Sequence, residues 1–263
     1  MSTLEERINA YKEAAQRYDI FDVSLWWAPE YVDTFRPYTD WEKQLADMSG
    51  YGLNSGLVTA HDSRNDPWTG NDVMIEKLKE HENYYGCAVF VPEMFFEMGK
   101  GRAYVRRLKE NRVIAARVYP GSFNHSTKEY TLGRMLSVFE EEKLPLLVWH
   151  IDFPFDAIDE LLTNHPDLPV ILDSGERKML YHTRDYISLM MKHKNFYVEN
   201  HNMVLFREYE LIRDLGYVDR IMYGSDFPYF NPDFSIYPVT VAEMSEEEKQ
   251  MIFSGNAKRV FGI

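Results

Sequence analysis

Leu144-Pro145-Leu146-Leu147-Val148-Trp149-His150 is a short apolar run that ends on a histidine. A run this short, rich in Leu and Val, reads as a strand buried on both faces, the burial found in a parallel sheet. Its strand is predicted over 145–149, and seven runs of the same kind lie at 20–25, 56–60, 85–91, 113–119, 169–172, 196–199 and 220–223. Helical periodicity fills the intervals, at 40–51, 71–81, 100–111, 131–142, 156–164, 178–194 and 204–215, and returns at 245–253 and 257–261. Strands alternating with helices require parallel crossover connections. Eight such units in 263 residues predict an α/β fold, one (β/α)8 TIM-type barrel domain spanning 1–263, with an extra N-terminal helix over 1–18. Ser2 or Thr3 can cap that helix, with Glu5 or Glu6 closing a capping box. The rival architecture is a doubly wound nucleotide-binding sheet. It needs a glycine-rich turn after the first strand, where this chain has Trp26-Trp27-Ala28-Pro29.

Composition narrows the partners. With 29 Lys and Arg against 42 Asp and Glu, the formal net charge is −13, which disfavours nucleic acid and anionic membrane. The densest basic stretch, 102–112, also holds Glu110 and reads as a solvated helix face. The single cysteine, Cys87, lies in an apolar run and reads as a buried core thiol, so no disulfide framework or cysteine-rich zinc module is expected. No apolar run approaches the ~18 residues of a membrane span. The acidic start of the chain lacks the pattern of a signal peptide, and a soluble, cytoplasmic protein is expected. A small molecule is the expected partner, with a homo-oligomer left open.

A barrel of this type carries its active site where the strands end, at the C-terminal mouth. Ser24, Trp26, His61, Glu93, Arg117, His150, Asp173, Glu199, His201 and Asp226 fall at those ends. Histidines and carboxylates converging there suit metal binding or acid–base catalysis. Arg117, inside an apolar strand, needs an anion: Asp173, Glu93 or a substrate carboxylate. Asp173 needs a partner too, either Arg117 or a metal. His61, Asp173, His201, Trp26 and Arg117 are candidate substrate-binding residues, with Glu199 expected to line the mouth. Trp27, Trp149, Phe153, Phe155, Phe227, Tyr229 and Phe230 crowd the same end and offer an apolar wall for a ring-bearing substrate. His81, His125, His165, His182 and His193 fall in helices or flanking loops and read as surface groups.

Several of these stretches resemble the amidohydrolase superfamily, in the branch of aminocarboxymuconate semialdehyde decarboxylase-like and dicarboxylate lactonase-like proteins. The run 144–150 is similar to that branch's fifth strand, which ends in a metal-ligand histidine. Tyr223-Gly224-Ser225-Asp226-Phe227-Pro228 is similar to its eighth, which ends in the catalytic aspartate, and Gly255-Asn256-Ala257-Lys258-Arg259-Val260-Phe261-Gly262 resembles its closing helix. Asn195-Phe196-Tyr197-Val198-Glu199 resembles its seventh strand. The resemblance implies a metal-dependent hydrolase-like barrel holding one divalent ion, zinc or manganese, on His150, Asp226 and Asp173. Where the family's first strand reads Asp-x-His-x-His, this chain has Asp22-Val23-Ser24-Leu25-Trp26, and its sixth strand ends Asp173-Ser174-Gly175 instead of His-x-Gly. Neither serine nor an indole N–H replaces an imidazole ligand.

The expected function is an amidohydrolase-like hydrolase or decarboxylase acting on a small organic acid, lactone or amide at the barrel mouth. Asp226 is the expected general base and His150 the second catalytic group. With a metal bound, the ion would acidify a water and Asp226 would take its proton. Without one, Asp226 would activate water, His150 would donate a proton or polarise a carbonyl, and Arg117 would bind a carboxylate. The alternative is a non-catalytic or metal-free barrel that binds a small carboxylate ligand.

Overall fold

The computed structural model describes the chain except residues 1–2, 4–5, 7–8, 10–11, 14–15, 29–35 and 175–181. The apolar runs form parallel strands β1 (Asp22–Trp27), β2 (Gly56–Ala60), β3 (Tyr84–Val89), β4 (Val113–Val118), β5 (Leu146–Trp149), β6 (Val170–Asp173), β7 (Phe196–Glu199) and β8 (Ile221–Met222). Each pairs with the next, in the order β1 to β8. The sheet comes round on itself where the Val23 N–H donates to Tyr223 O at 3.0 Å and the Trp26 N–H to Phe227 O at 2.8 Å. The eight parallel strands thus make a nearly closed barrel with helices between them, as predicted.

Side chains alternate along a strand, and each strand sends one residue to the same inner layer: Val23, Leu57, Cys87, Ala115, Leu147, Ile171, Tyr197 and Met222. Cys87 is a buried thiol, as its apolar neighbours indicate. The intervening residues, Val58, Ala88, Ala116, Val148, Leu172 and Val198 among them, pack outward against the helices. Two residues beyond the inner layer, the same period turns Arg117, Trp149, Asp173 and Glu199 inward, of which Trp149 and Asp173 reach the mouth. Strand β1 breaks the alternation. Its register with β2 shifts between Asp22 and Leu25, so Val23 joins the inner layer while the Ser24 hydroxyl also reaches Arg117 inside the barrel.

The helices are α1 (Trp41–Gly50), α2 (Pro67–Leu78), α3 (Lys100–Glu110), α4 (Glu129–Glu141), α5 (Phe155–Asn164), α6 (Thr183–Lys192), α7 (Glu208–Asp214), α8 (Asp233–Val241), α9 (Glu246–Gln250) and α10 (Asn256–Phe261). Helix α2 begins before its hydrophobic period does, because the Asp66 side chain accepts the Trp68 and Thr69 N–H groups and Pro67 fits the first turn. The helix predicted over 178–194 forms at Thr183–Lys192, and 178–181 lie outside the described residues. Helix α8 lies in a stretch where the sequence pattern predicts no helix, and Pro238 sits inside it. The segment predicted at 245–253 is α9 followed by a π-type turn at Met251–Gly255. That turn's carbonyls at Ile252 and Phe253 accept the N–H groups of Tyr223 and Phe21.

At the N-terminus, Thr3 and Glu6 form a capping box, with the Glu6 N–H donating to Thr3 Oγ1 at 3.1 Å and the Thr3 N–H to Glu6 Oε2 at 2.7 Å. Glu6, Asn9, Lys12 and Glu13 are helical, and the other positions of the predicted 1–18 helix form a turn at its end or lie outside the described residues. Two histidines read as surface groups are buried instead. His165 sits between Glu129 and Glu140, and His193 hydrogen-bonds Asp159 at 2.6 Å. The basic face of α3 is solvated and ion-paired, with Arg102 and Arg106 on Glu142 and Arg107 on Asp72. Among the described residues no helix is long and apolar enough to cross a membrane.

Candidate active site

The sequence Gly224-Ser225-Asp226 after β8 is shaped by what lies behind it. A Cβ on residue 224 would stand 2.4 Å from Glu199 Cγ and Oε1, so only glycine passes. The Ser225 N–H donates to Asp22 Oδ1 at 3.1 Å, and the Phe227 N–H donates to Ser225 Oγ at 3.0 Å. Asp226 has a positive φ of 54°, a left-handed conformation that aspartate and asparagine tolerate better than other side-chain-bearing residues. This turn delivers the Asp226 carboxylate to the mouth, where Oδ1 accepts the Trp26 indole N–H at 2.6 Å.

A small cavity opens there, lined by Trp26, Arg64, Tyr119, Trp149, Asp173, Asp226 and Tyr229. Four of these are aromatic rings. The Arg64 guanidinium stands 5.9, 5.5 and 5.7 Å from the ring centres of Trp26, Tyr119 and Trp149. Tyr229 meets Trp26 edge-on and hydrogen-bonds His61 Nδ1 through its hydroxyl.

Of the residues singled out from the sequence, Trp26, Trp149, Asp173, Asp226 and Tyr229 line the cavity, and His61 reaches its rim through Tyr229. Arg117 is buried behind the wall. Its Nη1 donates to Asp173 Oδ2, its Nη2 to Ser24 Oγ at 3.1 Å, and its guanidinium lies 5.0 Å from the centre of the Trp26 ring. Of the anions open to it, the structure pairs it with Asp173. Burial opposes its charge, yet Asp173 beside it holds the guanidinium above the usual arginine range.

His150 and His201 are not on the cavity wall. His150 packs 5.8 Å, ring to ring, from His182, and burial lowers its proton affinity. His201 packs on Phe230 with neither ring nitrogen hydrogen-bonded, and burial pushes it down to about 4. Both imidazoles are therefore neutral near pH 7. Glu199 is fully buried and takes the Ser174 N–H and hydroxyl and the His201 N–H, at 3.2, 2.9 and 2.6 Å. Burial, then the charges of Asp173 and Asp226, raise its carboxyl well above the usual range.

Strand-end reasoning passed over two wall residues, Tyr119 and Arg64. Arg64 lies on the 3-10 turn His61–Arg64, one turn beyond β2. Extending the search from strand ends to the first turn after each strand would have found it.

The donor set does not suit the divalent ion that the resemblance implies. Asp173 is held by a guanidinium, and Asp226 receives an indole N–H at one of its oxygens. Among the described residues no three His, Cys, Asp or Glu side chains gather as cation ligands. The expected set of His150, Asp226 and Asp173 is not such a gathering, although His150 reaches the Asp173 backbone.

A family model described as Amidohydrolase matches residues 36–263. The chain belongs to the amidohydrolase family. No curated protein matches it. Among solved structures, it is similar to a 5-carboxyvanillate decarboxylase from Novosphingobium aromaticivorans, complexed with manganese and 4-hydroxy-3-methoxy-5-nitrobenzoic acid, at a TM-score of 0.71 and 13% identity over 94% of this chain and 97% of that one. It is similar to a 2,6-dihydroxybenzoate decarboxylase complexed with 2,6-dihydroxybenzoate, at a TM-score of 0.66 and 13% identity over 93% and 99% of the two chains. An uncharacterised TIM-barrel protein from Bordetella bronchiseptica matches at a TM-score of 0.67 and 14% identity over 98% and 91%. At these identities the likeness is one of fold.

Two side chains behind this family member's site give measurable expectations. Gly224→Ala should destabilise the chain by about 1–3 kcal/mol, because Glu199 is fixed by its three donors and cannot retreat. Urea midpoints would check this, and a Glu199→Ala change in the same chain should recover part of the loss.

Asp22 gives a pH signature. Burial raises it from 3.8 to about 6, against the pull of Ser225, the Ser24 N–H and Arg117. A carboxyl that binds its proton more tightly when folded contributes stability that is full below pH 3.8 and is lost as pH rises through 6. The loss amounts to about 3 kcal/mol. Asp22→Asn removes it, so the stability of the parent relative to the variant should fall by up to that amount between pH 4 and 7. His201 titrates with the opposite sign in both proteins and cancels in the comparison. Equal pH slopes in urea unfolding would show that Asp22 does not titrate in this way.

Proposed function

We propose that the cavity takes a one-ring aromatic carboxylic acid and that Asp226 is the acid–base group for its decarboxylation. The observation that carries this is the wall of the recess itself: four aromatic rings, one arginine and the Asp226 carboxylate gathered at one place. Stacking on Trp26, Tyr119, Trp149 and Tyr229 orients the ring, and Arg64 offers its carboxylate a counter-charge.

Asp226, carrying a proton taken from water, gives it to the ring carbon that bears the carboxylate. The bond between that carbon and the carboxylate breaks, its electron pair restores the aromatic ring, and carbon dioxide leaves. The Asp226 carboxylate then regains a proton from water. Arg117 neutralises Asp173, so the reacting ring meets one uncompensated carboxyl function fewer at the cavity. The aromatic-acid decarboxylases among the structural neighbours agree with this chemistry, while their fold alone does not assign it.

The test is a panel of hydroxybenzoic acids incubated with the protein, with the arene and carbon dioxide measured together. Equimolar release, slowed about 10²–10⁴-fold by Asp226→Asn, is the expected result. Tight binding of the acids with no turnover would replace this reading with a carboxylate-binding barrel. Turnover confined to lactones or amides would replace it with hydrolysis, in which Asp226 takes a proton from water.

A further inference from the structure

We infer that the Arg117 guanidinium is the resident cation of this barrel mouth, fixed on Asp173 in the place of a divalent ion, and that turnover needs no added metal. The inference concerns the site just described, and only its turnover arm rests on the decarboxylase reading.

The geometry supplies three reasons. First, the cation is built in. Arg117 is 2% exposed and is anchored at three acceptors: Asp173 Oδ2, Ser24 Oγ at 3.1 Å and the Tyr119 hydroxyl at 3.4 Å. A guanidinium does not lose its proton in a protein, so this charge is permanent. A dication arriving on Asp173 would have to displace it or sit beside it, and like charges a few ångströms apart in a buried site repel strongly.

Second, the other oxygen-bearing group faces a donor. The Trp26 N–H points at Asp226 Oδ1 from 2.6 Å, and an indole N–H has no lone pair to offer a metal. Trp26 also ties the two halves together, because Arg117 lies 5.0 Å from the centre of the same ring. Arg117, Asp173, Trp26 and Asp226 thus form one connected unit in which each carboxylate has an N–H partner.

Third, among the described residues the nearby imidazoles do not gather with the carboxylates as a set of cation ligands. His150 packs against His182, and His201 packs against Phe230 at 4.8 Å, ring to ring. Neither is on the cavity wall. The role left to a cation here, holding Asp173 and setting positive potential behind the substrate, is filled by a side chain.

The experiment begins with the whole wild-type chain, purified without a metal-affinity tag, saturated with manganese or zinc and dialysed. Elemental analysis should return far less than one ion per chain, with the same value for Asp226→Asn. The melting temperature should not move on adding manganese. Turnover of an aromatic acid should survive treatment with a chelator. Removing the cation by Arg117→Met should open Asp173, so that manganese raises the melting temperature of that variant alone. If Arg117→Met does not fold, Arg117→Lys keeps the charge without the planar fork, and it should stay insensitive to manganese.

Near-stoichiometric metal in the wild type, lost in Asp226→Asn, would overturn the inference. So would activity lost to the chelator and restored by manganese. Should no aromatic acid turn over under any condition, the functional reading fails, and metal content and melting temperature still decide this one.

Discussion

Asp226→Asn protein should fold with nearly the parent's stability and turn over its substrate about 10²–10⁴-fold more slowly, in kcat more than in KM. The retained stability follows from the local geometry. An asparagine keeps the carbonyl oxygen that the Trp26 N–H reaches at 2.6 Å, and it tolerates the positive φ of 54° as aspartate does. It cannot deliver or take a proton, so the loss falls on the chemical step. Asp226→Ala is the contrasting variant. It removes the acceptor of a buried indole N–H and places a residue without a polar side chain in the left-handed region, and it should lose about 1–3 kcal/mol of stability as well as activity. A parallel set of kcat, KM and melting temperatures for the two variants separates proton transfer from packing. Unchanged kcat in Asp226→Asn would mean that another group moves the proton, and the hydrogen-bonded His61 and Tyr229 at the rim would be examined next.

The barrel was legible because its strands are buried on both faces. Leu146–Trp149 is apolar or aromatic throughout and is followed by His150, and Val170–Asp173 is apolar up to Asp173, so the first polar residue marks where the strand leaves the core. The same rule found Asp173 and Asp226. It was less informative about direction. His150 follows Trp149, and it is Trp149 that lines the cavity while His150 packs aside, because one step along the chain past the last strand residue changes the face. In β1 the shifted register defeats period two altogether, and no pattern in Asp22-Val23-Ser24 announces that Val23 and Ser24 both reach inward. Arg64 lies beyond its strand, where only the three-dimensional path of the turn shows that it returns over the rings. The pairing of Arg117 with Asp173 was one of the alternatives the sequence left open, since one-dimensional spacing does not distinguish a partner on a strand two places away from a ligand.

The largest stability effect should come from breaking that pair from one side. Arg117→Met leaves Asp173 in a buried place without its guanidinium, and a loss of about 3–5 kcal/mol is expected. The two single variants should differ in how they respond to pH. An aspartate that loses its cation in the interior can take up a proton, so the folded variant holds that proton more tightly than the unfolded chain does. By linkage, Arg117→Met should therefore be milder near pH 5 and more severe near pH 8. Asp173→Asn instead strands a guanidinium that cannot deprotonate, and its loss should be nearly independent of pH. The double variant Arg117→Met, Asp173→Asn removes both charges and should be more stable than the sum of the single losses allows, by about 0.5–3 kcal/mol. Urea unfolding of all four proteins at the two pH values measures each of these quantities. Additive losses with no pH contrast would mean that the guanidinium and the carboxylate do not stabilise one another in the folded chain. A coupling that grows with pH would show the ionised pair to be what holds the mouth in shape, since only ionised Asp173 draws on the charge of Arg117.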